Sequence, residues 1–191
     1  MRRDVNLRVA GIAGSLRVDS YNRALLAACV ELAPTALTIE PFDLREVPLY
    51  DRDLEDEGFP EAVTALRSAI ATADGLLIVT PETNAGLPAV TKNAVDWASR
   101  RPVPTPLDGK PALVMGATPG RLGTALAQAQ LRGSLAHAGA IVLPRPQVFI
   151  SAAGEKLVDG VLVDDETRER VAAALAAFAA FVVRLGPEGS P

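Results

Sequence analysis

Apolar runs of strand length alternate with helical stripes along almost the whole chain. Leu7-Arg8-Val9-Ala10-Gly11-Ile12 predicts a first strand and Ala36 to Phe42 a second. Between them Asn22 to Ala33 has a helical period, with Leu25, Cys29 and Leu32 on one face and Pro34 just past its end. Asp43 to Gly58 is acidic and aperiodic and reads as an irregular loop, after which Pro60 opens a helix to about Thr72. Gly75-Leu76-Leu77-Ile78-Val79-Thr80 is a continuous apolar run stopped by Pro81, the pattern of a strand buried on both faces. Pro88 suits the first turn of the next helix, in which Val90, Ala94, Trp97 and Ala98 share a face. Beyond the proline-rich connection Pro102 to Pro106 and the Asp108-Gly109 turn, Ala112 to Gly116 predicts a fourth strand. Leu122 to Ala138 then carries Ala127, Leu131, Leu135 and Ala138 on one stripe. A fifth strand is expected over Ala140 to Leu143, resumed at Val148-Phe149-Ile150, and a last helix over Thr167 to Leu185.

Five strands alternating with helices predict an α/β fold, a parallel sheet covered by helices on both faces. The 191 residues suit one domain. No repeat or linker divides them, so a single domain is expected over residues 1–185, with a tail at 186–191. Such sheets bind ligands at the carboxyl ends of their strands, near the switch point in strand order. The loops after the first, third and fourth strands are therefore the place to look for chemistry.

Composition narrows that chemistry. A net charge of −4 offers no basic face to a nucleic acid. The single cysteine, Cys29, rules out an internal disulfide and lies in an apolar helical stretch, as a small core residue does. The single histidine, His137, stands near a predicted helix end where it meets C-terminal carbonyls, and without a second one there is no multi-histidine metal site. The longest apolar stretch, Val171 to Val183, is shorter than the about 20 residues that span a bilayer. The N-terminus has no signal-peptide core, so a cytoplasmic protein is expected.

The first loop, Gly14-Ser15-Leu16-Arg17-Val18-Asp19-Ser20-Tyr21-Asn22, gathers hydroxyls, an arginine and an amide at a helix N-terminus. Free N–H groups and the helix dipole make such a place a cradle for a phosphate. Ser20 or Asn22 serving as an ordinary N-cap is the plainer alternative. No P-loop sequence is present, and the dinucleotide fingerprint is incomplete, with glycines only at Gly11 and Gly14. Asp43, ending the second strand where a ribose-binding acid stands in dehydrogenases, keeps that reading open at this loop.

Gly14-Ser15-Leu16-Arg17 with Ser20 and Asn22 resembles the signature of the NAD(P)H-dependent FMN reductases, a family that includes chromate and quinone reductases. Pro81-Glu82-Thr83-Asn84, followed by Lys92-Asn93-Ala94-Val95-Asp96-Trp97, is similar to the second motif of the same family, and Thr118-Pro119-Gly120 to the third. The resemblance implies a flavodoxin-like three-layer sandwich with strand order 2-1-3-4-5. It also implies FMN as cofactor and NADPH or NADH as electron donor. Ser15, Arg17, Ser20 and Asn22 would enclose the FMN phosphate, and Pro81, Glu82, Thr83, Asn84, Thr118 and Gly120 would meet the ring. It further implies a small-molecule acceptor such as a quinone or free flavin, and a homodimer or homotetramer.

Two positions depart from the family pattern: Thr83 replaces a tyrosine, and Leu126 stands where many relatives carry an arginine. Lys92 and Asp96, four apart, read as a solvated ion pair, and Trp97 as core or interface. Since the flavin would carry the chemistry, no catalytic side chain is assigned. A flavodoxin-type electron carrier is the alternative, but carriers usually shield FMN between aromatics, and aromatic residues make up only 4% here.

Overall fold

In a computed structural model, which describes residues 6–102 and 104–186, the apolar runs become a parallel sheet. Its strands are β1 (Leu7–Ala13), β2 (Leu37–Phe42), β3 (Gly75–Val79), β4 (Pro111–Ala117), β5 (Ile141–Val142) and β6 (Val148–Ile150). They run in the order β2-β1-β3-β4-β5, and β6 pairs with β4 beyond the end of β5. This is the expected 2-1-3-4-5 order, and it puts the switch point between β1 and β3.

The helices are α1 (Tyr21–Leu32), α2 (Arg52–Glu57), α3 (Glu61–Thr72), α4 (Ala89–Ala98), α5 (Ala125–His137), α6 (Ala153–Lys156) and α7 (Asp165–Leu185). Alternate side chains of β3 face opposite layers. Leu77 and Val79 pack with α1 and α7 through Leu25, Cys29, Val171, Leu175 and Phe178. Leu76 and Ile78 pack with α3, α4 and α5 through Leu66, Ile70, Trp97 and Leu131. Every residue of β3 and β4 is buried, which is why both read as unbroken apolar runs. Cys29 is fully buried, and burial pushes its thiol up to about 12, so it stays neutral as a core residue.

Met115 and Ala117 of β4 pair with Val148 and Ile150 of β6, whereas Pro111 and Ala112 pair with Ile141 and Val142 of β5. Between those registers Pro144 and Pro146 supply no N–H, so the fifth strand breaks. Arg132 of α5 covers the break, donating to Leu143 O at 2.7 Å. Burial in this half-enclosed place lowers the pKa of its guanidinium.

Three elements depart from the sequence reading. The stretch 43–58 is not wholly irregular: α2 lies within it, capped by Asp51 and carrying an Arg52–Asp56 pair. Its residues are all outside the core, so it left no apolar stripe. The short helix α6 and a hairpin of β7 (Leu157–Val158) and β8 (Val161–Leu162), turning at Asp159-Gly160, fill a stretch with no predicted element. Of the expected tail, only Gly186 falls among the described residues. Among those residues no helix is long and apolar enough to cross a membrane.

Candidate functional site at the carboxyl edge of the sheet

Hydrogen bonds hold the three loops of interest to one edge. Gly14 N, just past β1, donates to Val79 O at 2.8 Å, and Thr80 N, just past β3, donates to Met115 O at 2.9 Å. Asn22, in the first turn of α1, reaches Ala117 at the end of β4. The loops after β1, β3 and β4 are thus adjacent.

In the first loop Ser20 is the N-cap of α1, its Oγ accepting from Asn22 N at 3.2 Å. Asn22 is 3% exposed, and its amide is occupied by β4. Nδ2 donates to Ala117 O and Oδ1 accepts from Ala117 N, both at 2.9 Å. What Asn22 contributes to the loop is the position of the helix N-terminus. Ser15 is half-buried, and Leu16, Arg17, Val18 and Asp19 are exposed. Among the described residues no acceptor meets the N–H groups of Ser15, Leu16, Arg17 and Val18, or the Arg17 guanidinium. No acidic residue occupies the first turn of α1. A cleft of about 660 Å³ opens here, with Arg17, Asp19, Ser20 and Arg23 on one wall and the β7–β8 turn, including Asp159, on the other.

The second loop is a tight two-residue turn. Thr83 N donates to Gly86 O at 3.1 Å and Gly86 N to Thr83 O at 3.0 Å. Asn84 (φ 51°) and Ala85 (φ 56°) both take left-handed backbone, as a type I′ turn requires. Asparagine tolerates that conformation, but in alanine it costs roughly 1–2 kcal/mol and must be held from outside. Glu82 does part of the holding. Its carboxylate accepts from Leu126 N at 2.9 Å and Ala127 N at 3.0 Å, capping α5, whose own N-cap Thr124 makes no side-chain cap bond, its Oγ1 accepting from Gln128 Nε2 instead. Gln130 Oε1 accepts from Leu87 N at 2.8 Å on the far side of the turn. Pro81 is half-buried, and Thr83 and Asn84 are exposed. Glu82→Ala should therefore destabilise the fold by about 1 kcal/mol, the usual cost of losing a cap. For a chain of this size that is a melting temperature lower by about 2–4 °C, read by thermal unfolding.

In the third loop Thr118 Oγ1 accepts from Gly120 N at 3.3 Å, and Pro119, Gly120, Arg121 and Leu122 are exposed. Thr118 N and O bond to Ile150 O and Ala153 N, so β6 and α6 fix the loop's base. Of Arg100, Arg101 and Arg121, only Arg121 stands in one of these loops. Arg100 and Arg101 follow α4, a helix length of about 15 Å from the second loop. Arg100 is spent on Asp96 O and Ser99 Oγ.

Sequence reading missed the use of Glu82 as a cap for α5 and the Gln130 brace. Neither has a local signal, since the partners lie 44 and 43 residues away. Lys92 and Asp96 do form their ion pair, and Trp97 is core, with Nε1 donating to Pro48 O at 2.8 Å.

With three loops of this kind on a doubly wound sheet, the molecule has the architecture of a flavin-dependent oxidoreductase. The chain belongs to the NADPH-dependent FMN reductase family, whose model matches residues 7–155. It is 44% identical over 181 residues to an NAD(P)H-dependent FMN reductase of Pseudomonas aeruginosa, covering 94% of this chain and 97% of that protein. It is 40% identical over 177 residues to a 2-hydroxy-1,4-benzoquinone reductase of Burkholderia sp, covering 92% of this chain and 96% of that protein. Among solved structures, the flavoenzyme NAD(P)H:(acceptor) oxidoreductase FerB from Paracoccus denitrificans superposes with a TM-score of 0.86 at 35% identity. That match covers 94% of this chain and 99% of FerB.

The residues present fit FMN. Among the described residues, four N–H groups without acceptors, a guanidinium without an ion-pair partner and a first turn of α1 with no acidic residue form a donor set for a phosphate dianion. The exposed second and third loops offer backbone groups and small side chains, as a planar polar ring needs.

Proposed function

We propose that this chain binds FMN across the three loops and uses it to carry a hydride from NAD(P)H to a small acceptor, a quinone or free flavin. The observation that carries this reading is the unpartnered donor set of Ser15–Val18 beside Arg17. When bound, FMN supplies the redox chemistry, accepting a hydride equivalent and passing electrons on. The chain's residues bind and orient. Arg17, Ser15 and Ser20 neutralise and fix the phosphate, with Asn22 holding the helix behind them. Pro81, Glu82, Thr83 and Asn84 present one ring edge, kept rigid by the α5 cap and the turn, and Thr118 and Gly120 meet the ring from the third loop. No side chain at this edge has to serve as nucleophile or general acid. The quinone acceptor is supported by the names of the relatives in Burkholderia sp and Escherichia coli. Dependence on NAD(P)H, an intracellular reductant, goes with a cytoplasmic place.

The test is anaerobic mixing of FMN-loaded protein with NADH and NADPH in turn. Bleaching of the flavin by one of them, then recolouring by a quinone, is expected. A flavin that stays oxidised with both would mean an electron carrier instead.

The same reading includes one domain over residues 1–185 that works as a homo-oligomer. Helix α5 buries Ala127, Leu131 and Leu135 inward yet exposes Leu126, Ala129, Gly133 and Ala136 outward. That outward stripe of small and apolar residues, beside the polar Gln130 and His137, is a face a packed neighbour can cover. Beside it a groove of about 870 Å³ runs along α4, with Leu87 and Val95 among charged and polar residues such as Lys92, Asp96, Arg100, Asp108 and Gln130. A second copy is its proposed occupant, and light scattering on the eluting protein reads the mass.

Thr83 sets how tightly the ring is held. Thr83→Tyr should add aromatic contact worth about 0.5–1.5 kcal/mol, tightening FMN by roughly two- to tenfold. It should slow large quinones more than small ones, because the added ring narrows the cleft. Unchanged or weaker FMN binding in titration would show that residue 83 points away from the ring.

A further inference from the structure

Beneath the carboxyl edge lie two hydroxyls that the proposed binding does not use. Thr80, the residue after β3, and Thr91, in the first turn of α4, are both 0% exposed. Thr80 Oγ1 is 3.0 Å from Pro81 O and 3.2 Å from Thr91 Oγ1. Thr91 Oγ1 in turn approaches Gly14 O at 3.5 Å. A Cβ on Gly14 would sit 2.0 Å from Thr91 Oγ1, so only glycine leaves room for that hydroxyl. Gly14–Thr91–Thr80–Pro81 is therefore a continuous polar path from the first loop to the second, through a buried interior.

Counting protons shows that the path has three arrangements. Each hydroxyl has one proton to give and two lone pairs to receive with. Two protons serve three contacts, so one contact is always unmade. The shorter distances correspond to Thr91 donating to Thr80 and Thr80 to Pro81 O, with Gly14 O left at the long approach. The reverse chain has Thr80 donating to Thr91 and Thr91 to Gly14 O, and in the third arrangement each hydroxyl donates to its own carbonyl while the bond between the two hydroxyls is unmade. In either direction the two bonds polarise one another, and the low dielectric makes an unsatisfied end costly.

We propose that Thr80 and Thr91 are positioning residues that couple the first loop to the second. Drawing Ser15–Val18 onto a phosphate brings Gly14 O into bonding range and draws the Thr91 proton to it, so Thr80 either turns to donate to Thr91 or loses its bond to Thr91, and in both cases its hold on Pro81 O changes with the phosphate. The proposal rests on the FMN reading above. It has a consequence that contact alone does not produce: a buried residue with no access to the phosphate controls how much the phosphate contributes to binding.

The experiment titrates the flavin-free full-length protein with FMN and with riboflavin, following flavin fluorescence, and takes the ratio of the two dissociation constants. Thr91→Val removes the hydroxyl and keeps the shape. It should shrink the FMN preference over riboflavin about fivefold, the worth of one hydrogen bond. Thr91→Ser keeps the hydroxyl and should keep the wild-type ratio, and Thr80→Val should act as Thr91→Val does. Should Thr91→Val not fold, Thr80→Val carries the same test. Melting of each flavin-free variant records the purely structural cost. A lower melting temperature with an unchanged ratio in both valine variants overturns the coupling, as does a serine variant that loses as much as valine. A wild-type protein that binds FMN and riboflavin equally, or neither, overturns the phosphate reading and this inference together.

Discussion

Arg17→Ala is expected to weaken FMN binding by about 1.5–3 kcal/mol, roughly ten- to hundredfold, and to leave riboflavin binding nearly unchanged. The size follows from the company Arg17 keeps. Its guanidinium has no carboxylate within ion-pair distance among the described residues, so its removal breaks no internal bridge. Its charge is available to an anion at the α1 N-terminus, where the dipole and four N–H groups add to it and Asp19 and Asp159 in the same cleft subtract from it. Arg17→Lys keeps the charge but loses the planar fork, and should recover only part of the affinity. Because Arg17 is exposed, the FMN preference should also decline with added salt. Equal losses for FMN and riboflavin in Arg17→Ala would mean that Arg17 supports the loop and does not meet the phosphate.

The fold was legible where burial is two-sided and local. β3 and β4 are buried throughout, and their apolar runs marked both as strands, that of β3 as one covered on both faces, while the strand order came from the family resemblance. The break between β5 and β6 was legible too, since Pro144 and Pro146 cannot donate to a ladder. α2 was not, because a helix that buries nothing has no period to read. The β7–β8 hairpin left a signal that went unread, an Asp-Gly pair flanked by apolar residues with left-handed Asp159 (φ 48°) and Gly160 (φ 80°). Strands of two residues each have no alternation to support such a turn.

For the candidate site, the loops and their residue types were legible, and the bonds that fix them were not. Periodicity reports which face of an element is buried. It does not report a side chain that crosses the molecule to a single backbone group. Glu82 reaches α5 across 44 residues with no local signal, and only the structure shows that Thr124, left-handed and without a side-chain cap, leaves the start of α5 to be capped from elsewhere. Thr80 and Thr91 look like ordinary strand and helix threonines in sequence. Their meeting under Gly14 depends on the β1–β3 pairing and the entry angle of α4.

Asn22→Ala shows the cost of such a remote bond. The Asn22 amide bridges both polar groups of Ala117 at 2.9 Å, across 95 residues, in a site 3% exposed. Truncation leaves a buried N–H and a buried C=O unpaired at the end of β4, where each unsatisfied group costs about 1–3 kcal/mol. The protein should lose about 2–4 kcal/mol, and its melting temperature should fall by about 4–15 °C in flavin-free thermal unfolding. Asn22→Asp is no rescue. It keeps an acceptor for Ala117 N but sets a second oxygen against Ala117 O and buries a charge. Since the bridge ties the N-terminus of α1 to β4, its loss should weaken FMN and riboflavin alike, by displacing the first loop from the third. That pattern separates Asn22 from Arg17, whose loss is specific to the phosphate. Unchanged melting in Asn22→Ala, with a loss confined to FMN, would place the amide on the phosphate and not on Ala117.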